Sequence, residues 1–466
     1  MLTNMKKKYI GDKAFYHRLL VVALPIVIQN AFTNFVNLLD NIMVGQLGTE
    51  QMSGVAIVNQ LIFIFYLLIF GGLSGVGIFT AQYYGKNDDE GVRITFRYKL
   101  WLGAAIMIIT VVVLMCFGSD LIQLYLNGSV DEGDPAATLS YAENYLAIII
   151  FMIPAVYIGQ AYCSTLRECG ETFVPMVSCV TAVLVNLVLN YLLIFGHFGF
   201  PKMGVSGAAI ATVVARYVEA AVVIVWSIRN RNKHTYFKGL YRTLMVPFSL
   251  AKKFFVTGMP LLINEGLWSI GIAMLAQAYS VRGLNVVAGQ NIANTINNMF
   301  NVVFIAMGDA VAIIVGQHLG AGDMKKAKDE ARKIIAFSVF SSALIGAVMF
   351  AFSGLFPKIY NTNDMARLIA THFIMVQAFF FPKDSFLHTS YFTIRAGGKT
   401  IITFLFDSFF MMVISVPLAY ILVFNTSLGP AEIFALVHAA DLIKCVIGYI
   451  LIKKEIWMNN IVNTSS

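Results

Sequence analysis

The stretch PIVIQNAFTNFVNLLDNIMVGQLGTEQMSGVAIVN, residues 25–59, returns in altered form as PLLINEGLWSIGIAMLAQAYSVRGLNVVAGQNIAN, residues 260–294. At a step of 235, Pro25 lies over Pro260, Gly48 over Gly283, Gly54 over Gly289 and Asn59 over Asn294. The same register carries Gln82-Tyr83-Tyr84-Gly85 onto Gln317-His318-Leu319-Gly320. Further along, the step shortens to 228, with Pro154 over Pro382, Arg167 over Arg395, Gly170 over Gly398 and Thr172 over Thr400. A few residues lost from a loop account for the drift. The chain is therefore a duplication, and each half must be read as a version of the other.

Both halves are apolar. The chain is 58% hydrophobic with 12% charged residues, against about 25% charge in ordinary soluble chains, and its mean hydropathy is +0.74. Apolar runs of about 20 residues are read as membrane helices. Twelve such runs lie near 19–44, 54–80, 98–118, 141–163, 174–195, 205–228, 255–279, 288–316, 334–355, 368–391, 401–423 and 431–452. Their length and period exclude barrel strands and predict an all-α membrane bundle. Six runs per half give an N-terminal lobe at 1–228, a basic linker at 229–253 and a C-terminal lobe at 254–466. The linker is expected to form an amphipathic helix on the inner surface. With six spans each, both halves enter from the same side, so the pseudo-symmetry axis follows the membrane normal and a central cavity can open to each face in turn.

The net charge of +8 reads as topology rather than nucleic-acid binding, because the basic residues fall in alternate connections. One set holds Lys6, Lys7, Lys8, Lys13 and Arg18, then Lys86, Arg93, Arg97 and Lys99, then Arg229 to Lys253, then Lys325 to Lys333, and finally Lys453 and Lys454. The other set has Lys202, Arg282, Lys358 and Arg367 alone, and its longest loop carries Asp120, Asp131, Glu132 and Asp134 without a base. The positive-inside rule then places both termini in the cytoplasm of a multi-pass cell-membrane protein, with some attraction to anionic headgroups. No cleavable signal is evident, since the first apolar run is long enough to be a span. Cys116, Cys163, Cys169, Cys179 and Cys445 show no CxxC spacing and read as small buried residues rather than a disulfide framework or metal site.

An ionised side chain at mid-bilayer costs about 2.5–3.5 kcal/mol on insertion scales, so each one needs a reason. Asp40 lies toward the outer end of span 1, where the choice is between a carboxylate that loads and releases a cation and one solvated by headgroups. Glu265 sits mid-span beside Asn264, five residues after Pro260, at the repeat position of Gln29-Asn30. Carbonyls freed by the proline kink could join an ion site there. Asp384 follows Pro382 and Lys383; side chains of adjacent residues diverge on a helix, so a simple Lys–Asp pair is not the expected arrangement. Asp407, near an inner helix end, is expected to be solvated. Arg216 with Glu219, and Asp441 with Lys444, are three apart and suit local ion pairs. Asn186 and Asn190 share one face of span 5, and Tyr145 in span 4 and Thr212 in span 6 add hydrogen-bonding groups. His438-Ala439-Ala440-Asp441 is too common a spacing to support acyltransfer.

With these residues in place, the chain resembles the multidrug and toxic compound extrusion (MATE) transporters. The resemblance rests on an ordered set: Asp40-Asn-Ile-Met-Val-Gly-Gln-Leu-Gly48, the paired Gln-x-x-Gly and Arg-x-x-Gly-x-Thr repeats, Asn190-Tyr-Leu-Leu-Ile-Phe-Gly196 and Gly207-Ala-Ala-Ile-Ala-Thr212. It implies two six-helix lobes around a V-shaped cavity, and an antiporter that expels organic cations and drugs against inward H⁺ or Na⁺. It places N-lobe coupling on Asp40, Tyr145, Asn186, Asn190 and Thr212, with Asn190 standing where the family usually has an aspartate. A second branch of the family builds a C-lobe cation site at positions matching Glu265 and Asp384. It implies no cofactor beyond the coupling ion, no metal other than Na⁺ at these carboxylates, small cationic drugs and lipid as partners, and a monomer.

The alternative reading is a flippase of lipid-linked precursors, from the same superfamily. Such a cargo calls for several cavity cations to meet a diphosphate, whereas within the spans only Arg216, Lys383 and Lys444 are basic, against more acids. An enzyme would need clustered His and acid residues, and a receptor would more naturally have seven spans or a signalling domain.

Overall fold

The computed structural model describes residues 9–126 and 134–463. Lys6, Lys7, Lys8, Asp131 and Glu132, counted in the charge pattern, lie outside them. Among the described residues there is no strand, and twelve helical segments of 19 to 38 residues are apolar enough to cross a membrane. They are α1 (Lys13–Gly45), α2 (Thr49–Gly85), α3 (Asp89–Leu126), α4 (Pro135–Glu168), α5 (Phe173–Phe195), α6 (Gly204–Arg229), α7 (Phe248–Ser280), α9 (Val302–Gly320), α10 (Met324–Ala351), α11 (Asp364–Ala396), α12 (Thr400–Asn425) and α13 (Pro430–Lys453). A further helix, α8 (Leu284–Phe300), precedes α9. Starts are set by local chemistry. Pro135 occupies the first turn of α4 while Asp134 accepts from the amide of Ala136 at 2.9 Å, and Asn363 caps α11 by accepting from Ala366 at 2.8 Å. Both use short polar side chains to satisfy amides that the helix leaves orphaned.

The eighth apolar run is two helices, not one. The two segments α8 and α9 meet at Asn301, whose amide still bonds the carbonyl of Asn297 at 2.9 Å. Thr295, Asn297, Asn298 and Asn301 crowd this point, and side chains of this kind compete with the helix for backbone groups. Span 11 is also irregular, with consecutive π-helical turns at Leu405–Phe409 and Met411–Ser415. Span 12 is interrupted at Asp441.

The described residues divide into two compact units. One draws on 28–80 and 89–252, the other on 9–27, 81–88 and 253–463. The first half of α1 and the turn after α2 thus pack with the C-terminal half. In the first unit α6 is central, touching α5 and both parts of α4. Its buried face is a run of small residues, Gly207, Ala208, Ala209, Ala211 and Ala215. A Cβ at Gly207 would meet the main-chain carbonyl of Leu193 on α5, so the bare glycine permits the close helix approach common in membranes. In the second unit α11 is central, packing on α8, α9, α10 and α13, with Phe373 stacked on Phe434 at 4.5 Å between ring centroids. Large apolar side chains such as Phe35, Ile109, Met115 and Phe379 remain exposed, a composition that suits a bundle surrounded by lipid tails.

The Gln-x-x-Gly repeats meet each other within the second unit. A Cβ on Gly85 would collide with the carbonyl of Gln317, and one on Gly320 with the carbonyl of Gln82. The contact is reciprocal, as contacts about a two-fold axis are. Gln82 itself is fully buried. Its Nε2 donates to the carbonyls of Ala396 at 3.0 Å and Asn459 at 3.1 Å, and its Oε1 accepts from the amide of Ile461 at 2.9 Å. Asn460 donates to the carbonyl of Gly320 at 3.1 Å, and Trp457 is buried. The chain after α13 therefore folds back onto both motifs. Gln82→Leu keeps the bulk but strands these backbone groups, each costing about 1–3 kcal/mol when buried unpaired. We expect a clear fall in the thermal unfolding temperature of the purified protein; wild-type melting would contradict this account.

The linker differs from its sequence reading. It forms turns and one short 3₁₀ segment, Thr235–Phe237, in place of an amphipathic helix. The reason is that α3 takes up its backbone. Arg93 donates to the carbonyls of Thr235 at 3.3 Å and Lys238 at 3.0 Å, Arg97 to that of Leu240 at 3.1 Å, and Trp101 to that of Leu244 at 2.9 Å. Tyr236, Phe237 and Leu240 are buried, and the hydroxyls of Tyr162 and Tyr241 are 2.6 Å apart. Carbonyls held by side chains are not available for a helix. The cysteines are free; Cys163, Cys169 and Cys179 are buried as expected, but Cys116 is exposed.

Candidate functional site

The first unit gathers the N-lobe residues named from the sequence. Asp40 is half-buried on α1. Asn190 Nδ2, on α5, donates to its Oδ1 at 2.8 Å. Asn186 lies one helical turn before Asn190 and faces the same carboxylate, its amide 3.0 Å from both Asp40 oxygens. On its other side it reaches Thr212 Oγ1 of α6 at 3.2 Å. Tyr145, buried on α4, lies against Thr212 and donates to Asn59 Oδ1 at 3.3 Å. Asn59 is thus a member of the cluster that sequence reasoning noticed only as a repeat position. The buried Oδ1 of Asn190 has no partner, so one more polar atom faces the cluster unsatisfied.

Asn186 can serve Asp40 in two ways, because an amide's oxygen and nitrogen are distinguished only by their partners. With its nitrogen toward Asp40, it donates to the carboxylate and its oxygen accepts from the Thr212 main-chain amide at 3.3 Å. With its oxygen toward Asp40, that oxygen accepts from Asn190 Nδ2 at 3.1 Å and its nitrogen donates to Thr212 Oγ1. A carboxylate can only accept, so it demands the first orientation. A protonated Asp40 can donate and is satisfied by the second. Which way the Asn186 amide turns is therefore tied to whether its neighbour accepts or donates.

The second unit does not join Glu265 to Asp384; each has its own surroundings. Glu265 is half-buried on α7, and the charges acting on it are those of Arg395 and Asp407. Its neighbour Asn264 is buried and highly engaged. Asn264 Nδ2 donates to Tyr391 Oη at 3.3 Å and Asp407 Oδ2 at 3.2 Å, while its carbonyl accepts from Ser408 Oγ at 2.7 Å. Asp407 is therefore not a solvated helix end. It sits on the first π-helical turn of α12 and pairs with Lys444 at 3.2 Å. π-Turns inside helices are frequent at functional positions.

Two other pairings correct the sequence reading. Lys383 and Asp384 do not diverge: Lys383 Nζ is 2.7 Å from Asp384 Oδ1 and 3.1 Å from Asp441 Oδ2. The long lysine stem folds back, which helical spacing alone does not reveal. Asp441 and Lys444 do not pair with each other, because each reaches an acid or base on another helix. Arg216 and Glu219 do pair as expected, at 2.8 Å. The three in-span cations named from the sequence are thus all bound to acids, whereas Asp40 and Glu265 have no ion pair among the described residues. His388, one turn after Asp384, packs edge-on to Phe304, with ring centroids 5.5 Å apart.

Comparison with known proteins agrees with the repeat. The family model described as MatE matches residues 25–192 and 260–421, each match opening on one of the two prolines that set the register. "Probable multidrug resistance protein YoeA" of Bacillus subtilis is 24% identical over 409 residues, covering 87% of this chain and 86% of that protein. "Probable multidrug resistance protein NorM" of Thermotoga maritima is 25% identical over 421 residues, covering 88% and 86%. Among solved structures, an outward-facing multidrug resistance MATE family transporter of the MOP superfamily aligns with a TM-score of 0.81 at 18% identity, over 98% of both chains. A MOP superfamily transporter from Pyrococcus furiosus, for which reversed polarity of the binding pocket suggests a different function, aligns with a TM-score of 0.80 at 19% identity, over 94% of this chain and 95% of that one. The fold is shared with both solved structures.

Proposed function

This chain belongs to the MatE family of multidrug and toxic compound extrusion transporters, and on that premise we propose that it is an antiporter that exports organic cations by alternating access, driven by inward H⁺ or Na⁺. The cell membrane is its proposed site, with both termini on the cytoplasmic side, as the alternation of basic loops favours.

The observation that carries this reading is the set of amides around an unpaired Asp40. A carboxylate held by neutral donors keeps its charge available for exchange, because no built-in cation cancels it. When Asp40 is charged, Asn190 and the nitrogen of Asn186 hold it. When a proton arrives, Asp40 donates to the oxygen of Asn186, whose nitrogen turns to Thr212. The arrival of charge is thereby transmitted from α1 to α5 and α6, the closely packed pair at the centre of this unit. The unpartnered oxygen of Asn190 offers a further ligand should the ion be Na⁺, which favours several converging oxygens.

A cationic cargo follows from the remaining charges. With Arg216, Lys383 and Lys444 each committed to acids, Asp40 and Glu265 are, of the in-span carboxylates singled out above, those without an ion pair among the described residues. Acidic residues that remain free attract organic cations and repel the diphosphate of a lipid-linked precursor. The names of the relatives, which refer to multidrug resistance, support drugs as part of the cargo. The test is uptake of a planar organic cation such as ethidium into proteoliposomes, driven separately by an imposed pH gradient and an imposed Na⁺ gradient. One of the two gradients should drive uptake; failure of both would remove the antiport reading.

A further inference from the structure

Lys383 is built into the second unit as a cation would be. It lies on α11 directly after Pro382, and its side chain is almost completely buried. Three oxygens surround its ammonium: Asp384 Oδ1 at 2.7 Å, Asp441 Oδ2 at 3.1 Å and the main-chain carbonyl of His438 at 3.3 Å. The last of these comes from the last turn of the helix segment Pro430–Ala440. Helix C-terminal ends carry partial negative charge and hold cations. Ser415 Oγ supports Asp441 from α12 at 3.4 Å, and the Phe380 ring lies 5.3 Å from the ammonium. One ligand atom each from Asp384, His438 and Asp441 come within 4.8 Å of one another, and the buried Nδ1 of His438 has no partner.

We propose that the ammonium of Lys383 is the resident cation of this seat and excludes Na⁺ from it. The oxygens are those of a small-cation site: two carboxylates and a main-chain carbonyl from three turns of two helices. An ammonium at its centre leaves no room for a second cation and repels one by like charge. The consequence deepens the antiport reading, on which its meaning for transport rests. Coupling by Na⁺ through Asp384 is closed in this chain, and the exchangeable charge lies with the carboxylates that have no lysine, Asp40 and Glu265.

The test is ²²Na⁺ binding to the purified full-length protein, with unlabelled Na⁺ as competitor, in the wild type, Lys383→Gln and the double variant Lys383→Gln/Asp384→Asn. The wild type should show no saturable binding that depends on Asp384. Lys383→Gln should gain saturable binding, and the double variant should lose it. Saturable wild-type binding abolished by Asp384→Asn would overturn the proposal, as would a folded Lys383→Gln protein with no gain. If Lys383→Gln does not fold, Lys383→Met, which retains the apolar stem against Phe380, takes its place in the same comparison, and Asp384→Asn is measured beside the wild type. Failure of both gradients to drive drug uptake would remove the antiport reading while leaving the binding result intact, so the two ideas fail separately.

Discussion

Asp40→Asn should reduce gradient-driven efflux to the level of vesicles lacking the protein, while the purified variant melts close to wild type. The substitution keeps the shape of the side chain and its ability to accept from Asn190, which donates to Asp40 at 2.8 Å. An asparagine can also donate its own amide to the oxygen of Asn186, so the local network survives in the orientation suited to a neutral Asp40. What disappears is the choice between two states. The site is fixed as though permanently protonated, and a site that cannot change charge cannot exchange an ion for a cargo. The measurement is ethidium efflux from vesicles at matched expression, alongside thermal unfolding of the same preparations. Efflux equal to wild type would show that the exchangeable charge lies elsewhere.

The second large effect is on stability. Glu168→Ala should destabilise the first unit by about 3 kcal/mol, the lower end of the range for removing one partner of a buried ion pair. Lys99 is completely buried on α3. Its ammonium donates to Ser164 Oγ and Thr165 Oγ1, both at 3.0 Å, and to Glu168 Oε2 at 2.5 Å. The hydroxyls can hold the ammonium but cannot cancel its charge, so truncating Glu168 leaves a buried cation uncompensated. The double variant Lys99→Met/Glu168→Ala should recover most of the loss, since replacing a whole buried pair with apolar atoms is often neutral. Thermal unfolding of the single and double variants decides the matter; a double variant no better than Glu168→Ala would mean that the loss comes from packing.

Lys99 also shows where reading a sequence stops. In the charge pattern it is one more basic residue marking the inner side, whereas in the fold it is an interior cation with its own acid. Arg93 and Arg97 belong to the same pattern, yet they hold linker carbonyls. The pattern concerns only the side on which a charge lies and carries no information about its partner. Pairing depends on tertiary approach. The i,i+3 rule succeeded for Arg216 and Glu219, which have each other as partners on α6, and failed for Asp441 and Lys444 because partners on other helices, Lys383 and Asp407, take their place. The polar cluster on α1, α5 and α6 could be named in advance because Asn186 and Asn190 lie on one helical face and the family resemblance supplied Asp40, Tyr145 and Thr212. No comparable regularity announces the network of Asn264, Asp407 and Lys444, whose members come from three helices and meet at a π-helical turn.

The reciprocal contact of the two Gln-x-x-Gly motifs bears on how such a chain could have arisen. A fragment ending near Met245 would carry Gln82 and Gly85 but not Ala396, Asn459, Ile461 or Gln317, which receive them in the whole protein. The first half alone thus lacks the backbone groups that satisfy the buried side-chain amide of Gln82. An ancestor of half this length would have had to work as a pair of identical copies, and fusion of its gene would have turned an encounter between molecules into a permanent covalent partnership.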